Sequence, residues 1–202
     1  MSERKMLRVG LTGSIGMGKS TTADMFRAEG IAVLDSDRLV HELYRGAAAA
    51  EIEKAFPGVV VDGAVDRQRL AARVLNDPAA LKRLEEIVHP MVWAARDALV
   101  EERRDKGDRI VVFDIPLLFE TGAEKDFDAI VVVTASEDVQ KTRVLAREGM
   151  TAEKFTSILA KQTPDREKRA RADFVVHTDK GLDAAREEVR NIVKVLEAHL
   201  ER

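Results

Sequence analysis

The chain has 202 residues, with 33 lysines and arginines against 36 aspartates and glutamates and a formal net charge of −3. Apolar residues make up 45% of it and charged residues 34%, proportions typical of a globular domain with a sizeable core. The balanced charge argues against a protein built around a nucleic-acid footprint, and no apolar run approaches the roughly 20 residues of a membrane helix. The N-terminus lacks the apolar stretch of a signal peptide. The absence of cysteine excludes disulfides, thiolate nucleophiles and cysteine-ligated zinc, and fits a cytoplasmic protein.

Short apolar runs alternate with longer helical patterns along the chain. The runs cover residues 7–11, 31–34, 110–113, 129–133 and 174–176. They consist largely of consecutive Val, Ile, Leu and Ala, a pattern typical of strands that helices cover on both faces. Helices are predicted over residues 20–28, 136–148 and 182–200. This order predicts an α/β fold with a doubly wound parallel sheet of about five strands.

Two intervals are too long for a simple alternation of strands and helices. Residues 37–108 are strongly helical, whereas a crossover needs only about a dozen residues, so we predict an inserted helical lobe. Residues 141–171 carry nine Lys and Arg against four Asp and Glu, which suggests a basic helical lid, although a charge run is usually a solvated helix face. The nucleotide-binding core is then expected over residues 1–36, 109–140 and 172–202.

Residues 13–20, GSIGMGKS, match the phosphate-binding pattern G-x-x-x-x-G-K-[ST] in full. An apolar run precedes the motif and a helical pattern follows it, which is the context that the motif requires. Its glycines let backbone N–H groups converge on one concavity, and the helix N-terminus adds further donors. Lys19 is expected to reach the outer phosphates of a nucleoside triphosphate, and the Ser20 hydroxyl to ligate Mg²⁺. The predicted nucleotide-binding residues of the loop are Gly13, Ser14, Ile15, Gly16, Met17, Gly18, Lys19, Ser20 and Thr21.

Aspartates follow the second and third apolar runs, at the sheet edge expected to carry the phosphate loop. Asp35 and Asp37 follow one run and Asp114 follows the other. A carboxylate there can accept a proton from an attacking hydroxyl or serve Mg²⁺, although aspartate is also favoured at helix N-termini. Asp35 and Asp37 are two residues apart, so in an extended backbone they should point the same way. Asp114 is placed like the magnesium-side aspartate of phosphate-loop enzymes, but the residues leave the choice of ligand among the three open.

Arg143 and Arg147 lie one helical turn apart in the basic interval and could close together over a polyphosphate. A regulatory GTPase would need an N-K-x-D motif, but neither Asn76 nor Asn191 is followed by lysine. A nucleic-acid motor would need a longer chain and a basic track outside the lid. These comparisons favour a small-molecule kinase whose inserted lobe binds the acceptor.

Taken together, these segments resemble the dephospho-coenzyme A kinase family, which catalyses the last step of coenzyme A synthesis. The resemblance is carried by GLTGSIGMGKST (10–21), VLDSDRLVHELY (33–44), DRQRL (66–70), HPMV (89–92), FDIPLLFETG (113–122), FDAIVVVTAS (127–136) and ILAKQTPDREKRARADFVV (158–176). Small kinases that act on a nucleoside, nucleotide or shikimate-like acceptor share the phosphate loop, but they do not carry the HP and PLLFE segments together.

The resemblance implies transfer of the γ-phosphate of ATP to the ribose 3′-hydroxyl of dephospho-CoA, with Mg²⁺. It places the catalytic carboxylate on Asp37 and the lid arginine on Arg143, with Lys19 as the third catalytic residue, Arg147 at the nucleotide, and Ser20 and Asp114 at the metal. The residues expected at the acceptor are Asp35, Arg67, His89, Pro116 and Leu117. The implied partner is the small molecule dephospho-CoA, with neither nucleic acid nor membrane involved, and the sequence leaves the oligomeric state open, a monomer included.

Three positions depart from the family pattern: Ser14 stands where Gly is usual, Ser36 where Ala or Gly is usual, and Thr178 where Asn commonly follows the fifth strand. The change at Thr178 puts a side-chain contact to adenine at that position in doubt. His89 precedes Pro90, and such a step more often ends a helix and packs than supplies a base. Tyr44 and Trp93 are the single tyrosine and tryptophan, and we expect both to pack in the core of the lobe.

Overall fold

The computed structural model describes residues 6–201. Its strands are β1 (Leu7–Thr12), β2 (Ala32–Asp35), β3 (Val60–Val61), β4 (Ala64–Val65), β5 (Ile110–Asp114), β6 (Ala129–Thr134) and β7 (Phe174–His177). Its α-helices are α1 (Lys19–Ala28), α2 (Ser36–Tyr44), α3 (Ala49–Ala55), α4 (Arg67–Val74), α5 (Pro78–Asp105), α6 (Glu137–Leu145), α7 (Ala152–Leu159), α8 (Asp165–Ala170) and α9 (Leu182–Leu200), and Ala123–Asp126 form a 3₁₀ turn. Among these helices, none combines the length and the apolar composition needed to cross a bilayer.

The described chain divides into two compact units, one of residues 6–35 and 103–201 and the other of Ser36–Glu102. The first unit contains the basic interval 141–171 and therefore helices α7 and α8.

A five-stranded parallel sheet forms the first unit, in the order β2-β5-β1-β6-β7. Every residue of β5 and β6 is buried, because side chains on both faces of these inner strands are covered. Apolar side chains of α1 and α9, such as Phe26 and Val189, pack with Val9, Leu11 and Val131 of the sheet. The predicted α/β fold with about five parallel strands is confirmed, and each predicted run ends one residue before the observed strand does.

The carboxyl ends of the five strands lie along one edge of this sheet. Leu11 of β1 and Asp35 of β2 each pair with Asp114 of β5, and Thr134 of β6 pairs with His177 of β7. Parallel strands place the segments that follow them at this edge, where ligands bind in sheets of this type. This edge therefore positions the phosphate loop, Asp35 and Asp114.

The second unit is mainly helical and has its own core, in which Ile52, Phe56, Leu70 and Val92 are buried. Asp66 caps α4, since its carboxylate accepts the backbone N–H groups of Gln68 and Arg69.

The hairpin of β3 and β4 in this unit was not predicted from the sequence. Asp62 and Gly63 form its turn with φ angles of 51° and 78°. Two residues with positive φ make the tight turn whose twist matches paired strands, and Asp-Gly is a favoured sequence for it. The signal was therefore present, but each strand is only two residues long.

Helix α5 runs for 28 residues through Pro90, so the expectation that the His89–Pro90 step ends a helix is wrong. The helix continues because Leu84, Val88 and Val92, on both sides of the proline, pack in the same core, which offsets the lost backbone hydrogen bond. The expected burial of Trp93 is also wrong, since 57% of this residue is exposed. It follows Val92 by one position and so points about 100° away from the buried stripe. Tyr44 packs against the core as expected.

Candidate active site

The phosphate loop connects β1 to α1 and lies directly against α6. Gly16 and Gly18 have φ angles of 80° and 96°, a region that residues with a side chain rarely adopt. A Cβ atom on Gly16 would lie 2.5 Å from Cγ2 of Val144, and one on Gly13 would lie 2.7 Å from the carbonyl oxygen of Val133. The glycines are therefore required both by the path of the loop and by its close contact with β6 and α6.

Two glutamine side chains hold the peptide groups of Ile15 within the loop. Oε1 of Gln162 accepts the Ile15 backbone N–H at 3.1 Å, and Nε2 of Gln140 donates to the Ile15 carbonyl oxygen at 2.8 Å. Neither glutamine could be predicted at the loop, because the position of a glutamine in the sequence says nothing about which distant peptide it will contact. Gln162 belongs to the basic interval, so this interval contacts the loop directly.

Lys19, the first residue of α1, forms an ion pair with Asp114 at the end of β5. Asp114 is only 6% exposed, and Asp35 is its register partner on the neighbouring strand. Ser20 follows Lys19 in the first turn of α1. Within the described residues, no group of three or more His, Cys, Asp or Glu side chains is placed so that it could hold a metal ion. One hydroxyl and one or two carboxylates nevertheless fit Mg²⁺, which prefers oxygen ligands and usually keeps several of its waters.

A cavity of about 580 Å³ lies over the phosphate loop, within the size range of small-molecule sites. Most of the loop lines it, together with side chains from α1, α6, α7 and α9. The lining residues are Gly13, Ser14, Ile15, Gly16, Gly18, Lys19, Ser20, Thr21, Met25, Pro116, Arg143, Arg147, Ile158, Gln162, Thr178, Leu182 and Ala185. The loop, Lys19 and both predicted arginines therefore face one common space.

Arg143 is held in this cavity by Thr178, the residue that follows β7. Its Nη1 donates to Oγ1 of Thr178 and its Nη2 to the Thr178 carbonyl oxygen, both at 2.8 Å. The same hydroxyl donates to the carbonyl oxygen of Met17 in the loop at 2.7 Å. Because its helix packs on the loop through Val144, Arg143 is already in place over the cavity.

A buried ion pair joins the PLLFE segment to the basic interval. Nζ of Lys168, whose side chain is fully buried, lies 2.9 Å from Oε1 of Glu120, which also accepts the backbone N–H of Thr163 at 2.7 Å. Burial alone would raise the pKa of Glu120, but Lys168 and the Thr163 amide outweigh it and hold this pKa below its usual value. The pair therefore links the segment after β5 to α8, and the lowered pKa keeps Glu120 ionised at neutral pH.

The other predicted site residues lie as follows. Leu117 is 44% exposed next to Pro116. In the second unit, Asp37 lies in the first turn of α2, and the Arg67 guanidinium lies 5.7 Å from the Tyr44 ring. His89 is exposed on α5.

The extended backbone on which Asp35 and Asp37 were expected to point the same way does not reach Asp37. Asp35 is the last residue of β2, and the helix α2 begins at Ser36. The side-chain alternation of an extended strand therefore does not continue as far as Asp37.

Residues 7–184 match the family profile of dephospho-CoA kinase (CoaE). The chain belongs to the dephospho-CoA kinase family. It is 60% identical over 191 residues to the dephospho-CoA kinase of Mesorhizobium japonicum, covering 95% of this chain and 97% of that one. The dephospho-CoA kinase of Rhizobium meliloti is 53% identical over 193 residues, which are 96% of this chain and all of the relative.

Solved structures are similar to this member of the dephospho-CoA kinase family in fold. A crystal structure from Thermus thermophilus superimposes with a TM-score of 0.82 at 37% identity, covering 95% of this chain and 97% of that one. A shikimate kinase from Bacteroides thetaiotaomicron has a TM-score of 0.51 at 14% identity, over 96% of this chain and 99% of that one, and shares the fold alone. The resemblance drawn from the sequence is confirmed, and the chain is a kinase.

Proposed function

We propose that this chain transfers the γ-phosphoryl group of ATP to the ribose 3′-hydroxyl of dephospho-CoA, giving coenzyme A and ADP. One observation carries the proposal. In a member of the dephospho-CoA kinase family, the phosphate loop, Lys19, Arg143 and Arg147 line one cavity of nucleotide size. The phosphate loop identifies a nucleotide donor, and the family supplies the acceptor.

The donor phosphates bind over the loop in this proposal. Backbone N–H groups of the loop and the first turn of α1 supply hydrogen-bond donors and the positive end of the helix dipole. Lys19 contacts the β- and γ-phosphates, for which it must leave its ion pair with Asp114 or share it. Thr21 and Leu182 lie in the cavity wall, where they can contact the rest of the nucleotide.

Ser20 and Asp114 hold Mg²⁺ in this proposal, with Asp35 at the neighbouring strand end. Their hydroxyl and carboxylate oxygens are the donor types that this ion selects. The chemistry that Mg²⁺ would supply at these residues is neutralisation of negative charge on the phosphates.

Phosphoryl transfer requires alignment and charge stabilisation more than covalent chemistry from the protein. We assign to Asp37 the orientation and deprotonation of the 3′-hydroxyl, on the basis of its match to the second aspartate of the family's D-x-D. Asp37 also lies in the first turn of α2, where a carboxylate stabilises a helix N-terminus, so a purely structural role is the alternative. Arg143, already oriented by Thr178, stabilises the charge on the transferring group, and Arg147 contacts the nucleotide beside it.

We assign acceptor binding to Arg67, His89, Asp35, Pro116 and Leu117, as the sequence predicts. Arg67 is exposed although it stacks near Tyr44, so its guanidinium has N–H groups available to the phosphates of dephospho-CoA. The domain boundaries, a cytoplasmic location and independence from nucleic acid and membranes stay predictions from the sequence.

A coupled assay of ADP formation tests the proposal, with dephospho-CoA, AMP, adenosine and shikimate offered in parallel. We expect turnover with dephospho-CoA to exceed turnover with each other acceptor by at least about 100-fold, because a misplaced hydroxyl loses the benefit of alignment. Lys19→Ala serves as the inactive control and should lose at least about 100-fold in kcat. Faster turnover of shikimate or AMP than of dephospho-CoA would contradict the proposed acceptor.

A further inference from the structure

Thr178 contacts both the phosphate loop and Arg143, from a position fixed by the sheet. Its backbone N–H donates to the carbonyl oxygen of Thr134 at the end of β6, at 2.9 Å. Its hydroxyl lies 2.7 Å from the carbonyl oxygen of Met17 and 3.3 Å from that of Thr134. Arg143 donates to this hydroxyl and to the Thr178 carbonyl oxygen, both at 2.8 Å.

The hydrogen-bonding capacity of these groups limits what each can do for a ligand. A hydroxyl has one proton and two lone pairs, and a guanidinium has five N–H groups. The proton of the Thr178 hydroxyl is used by a backbone carbonyl of Met17 or Thr134, so it is not available to a nucleotide base. Arg143 uses two of its five N–H groups on Thr178, which leaves three, and both residues line the same cavity. Thr178 therefore gives its hydroxyl proton to the protein, whereas Arg143 keeps N–H groups with which it can contact the ligand.

The side chain of Thr178 also packs against the phosphate loop. A Cβ atom added to Gly18 would lie 3.1 Å from both Cγ2 and Oγ1 of Thr178. Thr178 thus contacts the loop at two successive residues, Met17 and Gly18, while it holds Arg143 by two hydrogen bonds.

We propose that Thr178 is a positioning residue that sets the place of Arg143 relative to the phosphate loop. The hydroxyl bridges the Met17 carbonyl oxygen and the Arg143 guanidinium, so the guanidinium plane is oriented before a nucleotide enters. The inference rests on the proposed function, because that function assigns the donor nucleotide to the cavity. Preorganised donors contribute more to a charged transition state than donors that must be brought into place.

The test compares Thr178→Val, which removes the hydroxyl and keeps the shape, with Thr178→Ser, which keeps the hydroxyl. Each is made in the natural sequence and in an Arg143→Ala background. The matched control is Thr156→Val, which removes an exposed hydroxyl that donates to the Ala152 carbonyl oxygen within α7. The measurements are the dissociation constant for ADP by calorimetry, kcat, and the KM for dephospho-CoA.

Thr178→Val should lower kcat about tenfold and weaken ADP binding severalfold, since Arg143 loses a hydrogen bond and the Met17 carbonyl loses its donor. The KM for dephospho-CoA should stay within about twofold, and both Thr178→Ser and Thr156→Val should resemble the natural protein. In the Arg143→Ala background, Thr178→Val should lower kcat by less than about twofold more, because residues that act as one unit are not additive.

Three results would overturn the inference: natural kcat and ADP binding in Thr178→Val, equal losses in Thr178→Ser and Thr178→Val, or the same loss of kcat with and without Arg143. If Thr178→Val does not fold, Thr178→Cys takes its place against Thr178→Ser, because a thiol is a much weaker hydrogen-bonding group. ADP calorimetry separates this inference from the proposed function. Weakened ADP binding in Thr178→Val with natural binding in Thr178→Ser supports the positioning role even if dephospho-CoA proves not to be the acceptor.

Discussion

The ammonium group of Lys19 pairs with the carboxylate of Asp114, which joins the first turn of α1 to the end of β5. Both side chains are largely buried, with 17% and 9% of their surfaces exposed. A charge pair shielded from water is stronger than one at the surface, so Lys19 is held at the phosphate loop without a ligand. Incoming phosphates must therefore compete with Asp114 for the same ammonium group.

This competition predicts that Asp114→Asn gains affinity for metal-free ADP. Without the carboxylate, Lys19 is free for phosphate and a source of repulsion is lost, so ADP should bind at least about threefold more tightly when Mg²⁺ is chelated. Activity with Mg²⁺ should fall, because an amide replaces the anionic ligand. Calorimetry with ADP in chelator, beside a kcat measurement, checks both effects. Weaker binding of metal-free ADP would show that Asp114 supports Lys19 rather than competing for it.

Arg143→Lys should be nearly as damaging to kcat as Arg143→Ala, with a loss of about tenfold or more in each. The planar guanidinium bonds two Thr178 oxygens at once and still presents N–H groups to the cavity, which a lysine ammonium cannot reproduce. Arg186→Lys, on the exposed surface of α9, is the control and should leave kcat unchanged. Recovery of most activity by lysine would reduce the role of Arg143 to a diffuse positive charge.

Asp37 and Asp35 should differ in their response to magnesium. Asp37→Asn should lose most turnover at every Mg²⁺ concentration yet bind ATP within a fewfold of the natural protein, because asparagine cannot accept the hydroxyl proton. If Asp35 serves the metal, Asp35→Asn should regain part of its activity as Mg²⁺ is raised. Steady-state kinetics against Mg²⁺, with ATP binding measured separately, provides the comparison. Normal turnover of Asp37→Asn, with Asp35→Asn inactive throughout, would exchange the two assignments.

Lys168→Met should destabilise the protein by about 3 kcal/mol at pH 7, because it leaves the Glu120 carboxylate buried without its partner. In the natural protein the pKa of Glu120 is lowered, so its contribution is present at neutral pH and is lost as pH falls below the usual glutamate range. In the variant, burial would raise this pKa above its unfolded value, and protonation would then favour the folded state.

The difference in the free energy of unfolding between the natural protein and Lys168→Met should therefore become smaller from pH 7 to pH 5. Urea unfolding at both pH values measures it, with Lys194→Met on the exposed face of α9 as the control. A gap that stays constant or widens on acidification would contradict the assigned charge state of Glu120.

The parallel sheet could be predicted from the sequence because its strands are buried on both faces. Runs such as residues 110–113 and 129–133 consist of consecutive apolar residues, so composition alone identifies them as buried strands. The phosphate loop could also be predicted, since its whole motif lies within the consecutive residues 13–20.

Tertiary contacts account for what the sequence did not show. The restricted backbone of a residue before proline predicts that a helix ends near Pro90. Helix α5 nevertheless continues past Pro90, because Val88 and Val92 pack in one core. The partners of Gln162 and of Thr178 lie 147 and 161 residues away along the chain. Motif spacing predicted the loop and Arg143 at the site, but it could not show that Gln162 contacts the loop or that Thr178 holds Arg143.

The most direct measurement of the proposed function is the position of the new phosphate in the product. After incubation with ATP, Mg²⁺ and dephospho-CoA, phosphorus NMR should show one new phosphomonoester signal coupled to the 3′ proton of the adenine-bearing ribose, with one ADP formed for each ester. Lys19→Ala should give neither. An ester at another hydroxyl, or ADP and inorganic phosphate without any ester, would contradict transfer to the ribose 3′-hydroxyl.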